Sequence, residues 1–223
     1  MTFRTPATLI ATAALAFGAA ACGDDEETSS AGTGSAAAEP AAAKPVAEVP
    51  NLSGKMTEVT LDAGFVKALT SLKVTPGPVG EAEISEEGVA SFPITGGNVK
   101  YFTPGSVSPF VQGIINHDGS GLSLEAGGKK VELENFDVDP GKSVLTGDVS
   151  VDGTEAAPDA PLFFLDGGTL KPLQANDDGT AVLEGTTVEL KKEAADLLNE
   201  TFGIDALEEG LKIGIAKITI NTQ

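Results

Sequence analysis

Val144-Leu145-Thr146-Gly147-Asp148-Val149-Ser150-Val151 alternates apolar and polar side chains over a whole strand's length. A period of two turns one face toward a core and the other toward water, the pattern of a half-buried β-strand. Val131-Glu132-Leu133-Glu134 and Ala181-Val182-Leu183-Glu184 repeat it on either side. Between such runs stand Ala126-Gly127-Gly128-Lys129 and Asn176-Asp177-Asp178-Gly179. Gly, Asn and Asp tolerate positive φ, so both read as hairpin turns. Short strands at this spacing predict a mainly β domain, an antiparallel sandwich or a barrel-like sheet.

Two segments break the period. Phe65, Leu69 and Leu72 recur at helical spacing, with Asp62 placed to cap the start. Leu190, Ala194, Leu197, Leu198 and Phe202 share a second helical face, and Gly203 follows as a C-cap. Val59-Thr60-Leu61 leads into the first helix and Val188-Glu189-Leu190 into the second. Gly80-Glu81-Ala82-Glu83-Ile84 then aligns with Gly214-Ile215-Ala216-Lys217-Ile218. The two stretches read as a weak strand–helix–strand repeat that opens and closes the domain.

The domain sits behind a distinct N-terminal region. Arg4 precedes an apolar run from Ala7 to Ala21, about 15 residues against the roughly 20 that span a bilayer. A short apolar run after a basic start, ending in small residues, predicts a signal peptide over residues 1–21. Cys22 is the only cysteine and is followed by Gly23-Asp24-Asp25-Glu26-Glu27. An unpaired thiol is unusual in a secreted protein, so Cys22 is expected to be a lipid attachment point that anchors the chain to the outer face of the cell membrane. The lipobox aliphatic is absent, because Ala19-Ala20-Ala21 precedes the cysteine. The same residues suit ordinary signal peptidase, which would leave a freely secreted protein.

Residues 22–50 are rich in Ala, Gly, Ser, Glu and Pro, with Pro40, Pro45 and Pro50 interrupting any helix. With no large apolar surface to bury, they read as a disordered tether with a reach of roughly 30 Å. Residues 51–223 read as a single β-rich domain. Cleavage at Cys22 removes Arg4 and no acid, which takes the formal charge from −19 to −20. Such a surface repels nucleic acid and anionic headgroups.

Few motifs for chemistry stand up. Asp139-Pro140-Gly141-Lys142-Ser143 contains Gly-Lys-Ser, but Phe136 stands where a phosphate-binding loop needs glycine, so the segment reads as a turn. No Gly-x-Ser-x-Gly elbow occurs. One histidine and no cysteine within the domain argue against structural zinc. Asp137, Asp139, Asp148 and Asp152 lack the spacing of a calcium loop.

His117, in Ile114-Ile115-Asn116-His117-Asp118-Gly119-Ser120-Gly121-Leu122, is the sharpest candidate. It reads as a turn residue between two strands, where a neutral imidazole could ligate a metal or haem iron. The simpler alternative is a turn histidine bonded to the neighbouring backbone or to Asp118.

The stretch Gly113-Ile114-Ile115-Asn116-His117-Asp118-Gly119, with Leu122-Ser123-Leu124 and Leu145-Thr146-Gly147-Asp148-Val149, resembles the HtaA-type domain of actinobacterial surface haem-uptake proteins. The resemblance spans roughly Val59 to Ile220 in the order of elements. It implies a mainly β surface domain and haem as ligand. The family's iron-ligating tyrosine has no counterpart in the matching Phe65-Val66-Lys67-Ala68-Leu69. Only His117 carries over by position, and Tyr101, the one tyrosine, is the candidate for a second ligand.

Three function classes follow. The leading one is a non-enzymatic surface lipoprotein domain that binds a ligand or an unidentified partner, with haem at His117 as its sharp version. The second is a structural or adhesion module of the envelope with no small-molecule site. The third is a serine hydrolase using His117, which needs a serine hydroxyl and an aspartate on either side of the ring.

Overall fold

The computed structural model describes residues 43–222. The signal peptide, Cys22 and the tether up to residue 42 lie outside the described residues. In chain order the elements are β1 (Ala47–Val49), β2 (Lys55–Leu61), α1 (Ala63–Leu72), β3 (Thr75–Gly80), β4 (Glu83–Ile84), β5 (Val89–Pro93), β6 (Gly96–Tyr101), β7 (Val111–Ala126) and β8 (Lys129–Asp139). There follow β9 (Val144–Val151), β10 (Thr154–Asp166), β11 (Gln174–Ala175), β12 (Thr180–Leu190), α2 (Lys192–Phe202) and β13 (Lys212–Asn221).

The strands form one antiparallel sheet in the order β1-β6-β7-β8-β9-β10-β12-β13-β2-β5-β4, with β11 on β12 and β3 on β7. The sheet curls into a half-barrel, in agreement with the expected mainly β sandwich or barrel-like fold. The alternating runs fall in β8, β9 and β12 as their period predicts. Gly127 and Gly128, both at positive φ, turn β7 into β8 with Ala126 opposite Lys129. Asp139–Ser143 is the β8–β9 turn, where Lys142 N donates to Asp139 Oδ1 at 2.9 Å.

Both helices form. The Asp62 carboxylate caps α1 by accepting from Gly64 N at 2.7 Å. Gly203 closes α2 in the left-handed region, as read from the sequence. Leu190, however, belongs to β12 and not to the helix. Its apolar side chain fits either period, and its backbone is held by bonds to Leu211 and Gly210. Ala194 and Leu198 of α2 cover the sheet near Leu133, Val149 and Leu162.

The strand–helix–strand order is present at both ends, as β2-α1-β3 and β12-α2-β13, but the two stretches pair differently: β12 and β13 are sheet neighbours, whereas β2 pairs with β5 and β13 and β3 pairs with β7. Similar amphipathic patterns here serve different registers. The sheet also begins at Ala47 rather than at Asn51. β1 pairs with β6, Glu48 bridges Lys100 at 3.0 Å, and Val49 packs on the core. Isolated valines between prolines carry no strand period, so β1 depends on the edge that β6 offers it.

β7 is the longest strand and changes partner along one edge. Residues 111–116 pair with β6 and residues 120–125 with β3, while β8 runs along the other edge. Close approach of β6 requires glycine at position 113, where φ is +125° and a Cβ would overlap the Asn98 carbonyl. Gly113→Ala should therefore lower stability by about 1–3 kcal/mol in urea unfolding. A loss below a few tenths of a kcal/mol would show that β6 moves away at little cost.

Candidate functional site

The site is built where β7 changes partner. His117 pairs with Phe136 of β8, and the next paired residues are Gly121 and Glu134. Asp118, Gly119 and Ser120 thus face Asn135 alone, a bulge that bends the strand. Asn135 takes φ of 54°, and its side chain accepts from Gly119 N and donates to Asp148 Oδ2, both at 2.9 Å. Ser120 Oγ donates to the His117 carbonyl at 3.1 Å.

His117 is therefore not a turn residue. It lies inside β7 and is 1% exposed. The turn reading rested on Asn-His-Asp-Gly-Ser-Gly, and those turn formers serve the bulge instead. Nor is Asp118 the ring's partner. Its carboxylate accepts from Thr95 Oγ1 at 2.8 Å, and its backbone N–H donates to the same hydroxyl.

The ring is held at both nitrogens. Nδ1 lies 3.0 Å from the Phe136 carbonyl, which can only accept, so Nδ1 carries the proton. Nε2 of the neutral ring is then an acceptor, and Thr57 Oγ1, 2.8 Å away, donates to it. Burial lowers the His117 pKa from the usual histidine value; the bond to the Phe136 carbonyl and the charges of Asp137 and Asp118 oppose it more weakly.

Thr57 belongs to β2, and five strands separate β2 from β7 in sheet order. The bond thus spans the lumen from wall to wall. Phe136 adds a second crossing contact, edge-to-face on Phe92 of β5 at 5.3 Å. Phe163 of β10 continues the aromatic cluster at 6.4 Å. These rings and the inward side chains Val59, Leu61 and Ile218 line a cavity of about 350 Å3.

The cavity is apolar apart from a few groups. Of the buried polar residues described, Thr57 and His117 are the two that line it. Among the described residues no lysine or arginine lines it, and Glu48 of β1 is the one charged residue that does. Among the described residues no buried side-chain polar atom lacks a partner, and no cluster of three or more His, Cys, Asp or Glu is placed to hold a metal ion.

Tyr101 also lines the cavity but at its other end. It pairs with Val111, six residues up β7 from His117, which is about 20 Å of strand. Its ring packs edge-to-face on Phe110 at 5.9 Å. The two sequence candidates share one lumen without converging on one point. The Ser-His-Asp arrangement has no counterpart at His117, where the hydroxyl is a threonine's and a backbone carbonyl stands behind the ring.

Thr57 and the phenylalanine cluster were not singled out from the sequence. Thr57 does leave a trace there. It shares the inward face of β2 with Val59 and Leu61, and a polar residue in an apolar row calls for a buried partner.

No protein-family model matches the chain, and no curated protein matches it. Among solved structures it is similar to the C-terminal domain of HtaA from Corynebacterium glutamicum, at 14% identity and a TM-score of 0.54, covering 78% of this chain and 99% of that one. A domain-swapped dimer of a histidine-to-alanine variant of that domain aligns with a TM-score of 0.45 at 14% identity, over 72% of this chain and 92% of that one. Residues 43–222 therefore carry the fold of the HtaA C-terminal domain.

Proposed function

We propose that this chain is an exported, non-enzymatic binding module that holds an apolar small molecule on the concave face of its half-barrel. The observation that carries this reading is the apolar cavity of about 350 Å3 with a single buried polar pair on its wall. Small-molecule sites are mostly apolar, start near 300 Å3 and use a few placed polar groups. A purely structural or adhesive module has no need of such a lumen. Export, and attachment to the membrane through a lipid on Cys22, rest on residues 1–22 alone.

Haem is the ligand that the resemblance around Gly113–Gly119 implies, and the residues can be tested against it. Phe92, Phe136 and Phe163 offer walls suited to a macrocycle. His117 Nε2 carries a lone pair in the tautomer that Phe136 fixes, as an iron donor must. Thr57 would have to turn its hydroxyl away from Nε2. Tyr101 is too distant to share a ligand position with His117. No lining cation meets the porphyrin carboxylates, so they would have to remain in solvent. Bound haem would supply an iron centre that accepts the imidazole nitrogen; the chain's part is to orient that nitrogen and exclude water.

Three measurements bear on this reading. Haemin added to the domain should shift the Soret band, and His117→Ala should abolish the shift; an unchanged shift in the variant would remove His117 as ligand. Mass spectrometry of the mature N-terminus should show a diacylated Cys22, and an unmodified cysteine would make the protein freely secreted. The pH dependence follows from the lowered pKa of His117. The unfolded ring titrates near 6.5, above the folded ring, so the contribution is complete above about pH 6.5. It is lost as pH falls below that value toward the folded pKa. His117 is the only histidine, and the lowered carboxylates of Glu87, Asp148, Asp178 and Glu184 act at about pH 4.5 and below. Chemical unfolding between pH 7 and 5 should therefore show a slope that His117→Gln removes.

A further inference from the structure

We propose that the ligand taken up by the concave cavity is an uncharged acyl chain, as in a neutral lipid ester, rather than an anionic amphiphile. The inference rests on the cavity being a ligand site.

Three observations converge. The first is the kind of wall. Val59, Ala90, Phe92, Leu183, Ala216 and Ile218 present hydrocarbon to the lumen. Val59, Leu183 and Ile218 stay only half-buried although they line the lumen, so its wall keeps apolar surface that no described side chain covers. Interiors close-pack wherever they can, and apolar space left unfilled is destabilising. A lumen kept open in this way suits a flexible hydrocarbon that adapts to it.

The second is the state of the polar pair. Thr57 and His117 bond to each other and to the Phe136 carbonyl. The Thr57 hydroxyl hydrogen and both ring nitrogens are engaged, so the pair has no hydrogen left to donate and keeps only acceptor lone pairs on Thr57 Oγ1. A head group that only accepts hydrogen bonds gains nothing by entering the depth of the cavity, and it loses its hydration.

The third is charge. Among the described residues no lysine or arginine lines the lumen, and the one charged lining group is the Glu48 carboxylate at the β1 rim, which bridges Lys100 at 3.0 Å. The chain as a whole carries −19. A carboxylate or phosphate head would find no lining cation and would meet a Lys100 already engaged by Glu48, whereas an ester head needs no such partner.

The test uses the mature full-length chain and two fluorescent probes of equal chain length, a monoacylglycerol and the free fatty acid, at pH 8, where the acid is ionised. The ester should bind one to one, and the acid at least about tenfold more weakly. Glu48→Lys should narrow that ratio by bringing a cation to the rim. Thr222→Lys, an exposed lining position, repeats the test at a second site. Uptake of labelled diacylglycerol from phosphatidylcholine vesicles would identify a membrane lipid as the source, and binding of the free ester alone would identify a soluble one; both support the uncharged acyl class. Equal or tighter binding of the acid by the unmodified chain would overturn the inference. So would haemin binding with neither acyl probe bound, which leaves the ligand site standing. If haemin, both acyl probes and an environment-sensitive apolar dye all fail to bind, the ligand site itself falls.

Discussion

The hydrogen bond from Thr57 to His117 joins walls that the backbone leaves apart. The sheet ends at β1 on one side and β4 on the other, and β2 and β7 are separated by five strands. Side chains alone can link such walls across a lumen. His117 does so with three strands at once: its own β7, β8 through the Phe136 carbonyl, and β2 through Thr57. The bulge after His117 makes this possible, because there β7 leaves β6 and takes up β3. An imidazole can be buried at this point because both nitrogens are paired. The Phe92–Phe136 contact crosses beside it and gives the link an apolar side.

The same pairing decides what the cavity can do. A ring fixed as the Nδ1–H tautomer presents its lone pair at Nε2, the nitrogen that faces Thr57. That is the arrangement of a metal donor, and also that of an acceptor satisfied by a neighbouring hydroxyl. The two uses compete for one lone pair. An iron ligand must displace Thr57, while a hydrocarbon ligand leaves the bond intact. The hydroxyl is thus a threshold on coordination chemistry rather than a part of it. A serine hydrolase would need the reverse arrangement, with a carboxylate behind the ring and an exposed nucleophile in front. Here a carbonyl stands behind and a buried threonine in front.

Much of the fold was legible because it depends on local patterns. The period-two runs at 131–134, 144–151 and 181–184, the Gly127-Gly128 turn, the Asp62 cap and the Gly203 stop each work through neighbours in sequence. What was misread depends on distant partners. Leu190 suited a helical face, yet bonds to Leu211 and Gly210 assign it to the strand. β1 has no period of its own and exists through β6. Asn116 to Gly121 has the composition of a turn, and the choice between turn and bulge was made by pairing with β8 and β3. His117 was found by its rarity. Its partner Thr57, 60 residues earlier, was visible only as a polar residue in an apolar row.

That contrast separates the fold from the site. At 14% identity the half-barrel of the HtaA C-terminal domain is kept while most side chains differ. A sheet tolerates this because alternation and turn residues can be met by many sequences. A ligand site cannot, since it depends on individual atoms: a carbonyl behind the ring, a hydroxyl in front, rings on the wall and a carboxylate at the rim. Likeness of fold therefore does not choose an occupant for the lumen. The choice rests on this chain's own lining, where Thr57 and His117 bond to each other at depth and no lysine or arginine stands among the described residues. As a ligand site, a lumen of that kind would select by apolar content and by the absence of charge.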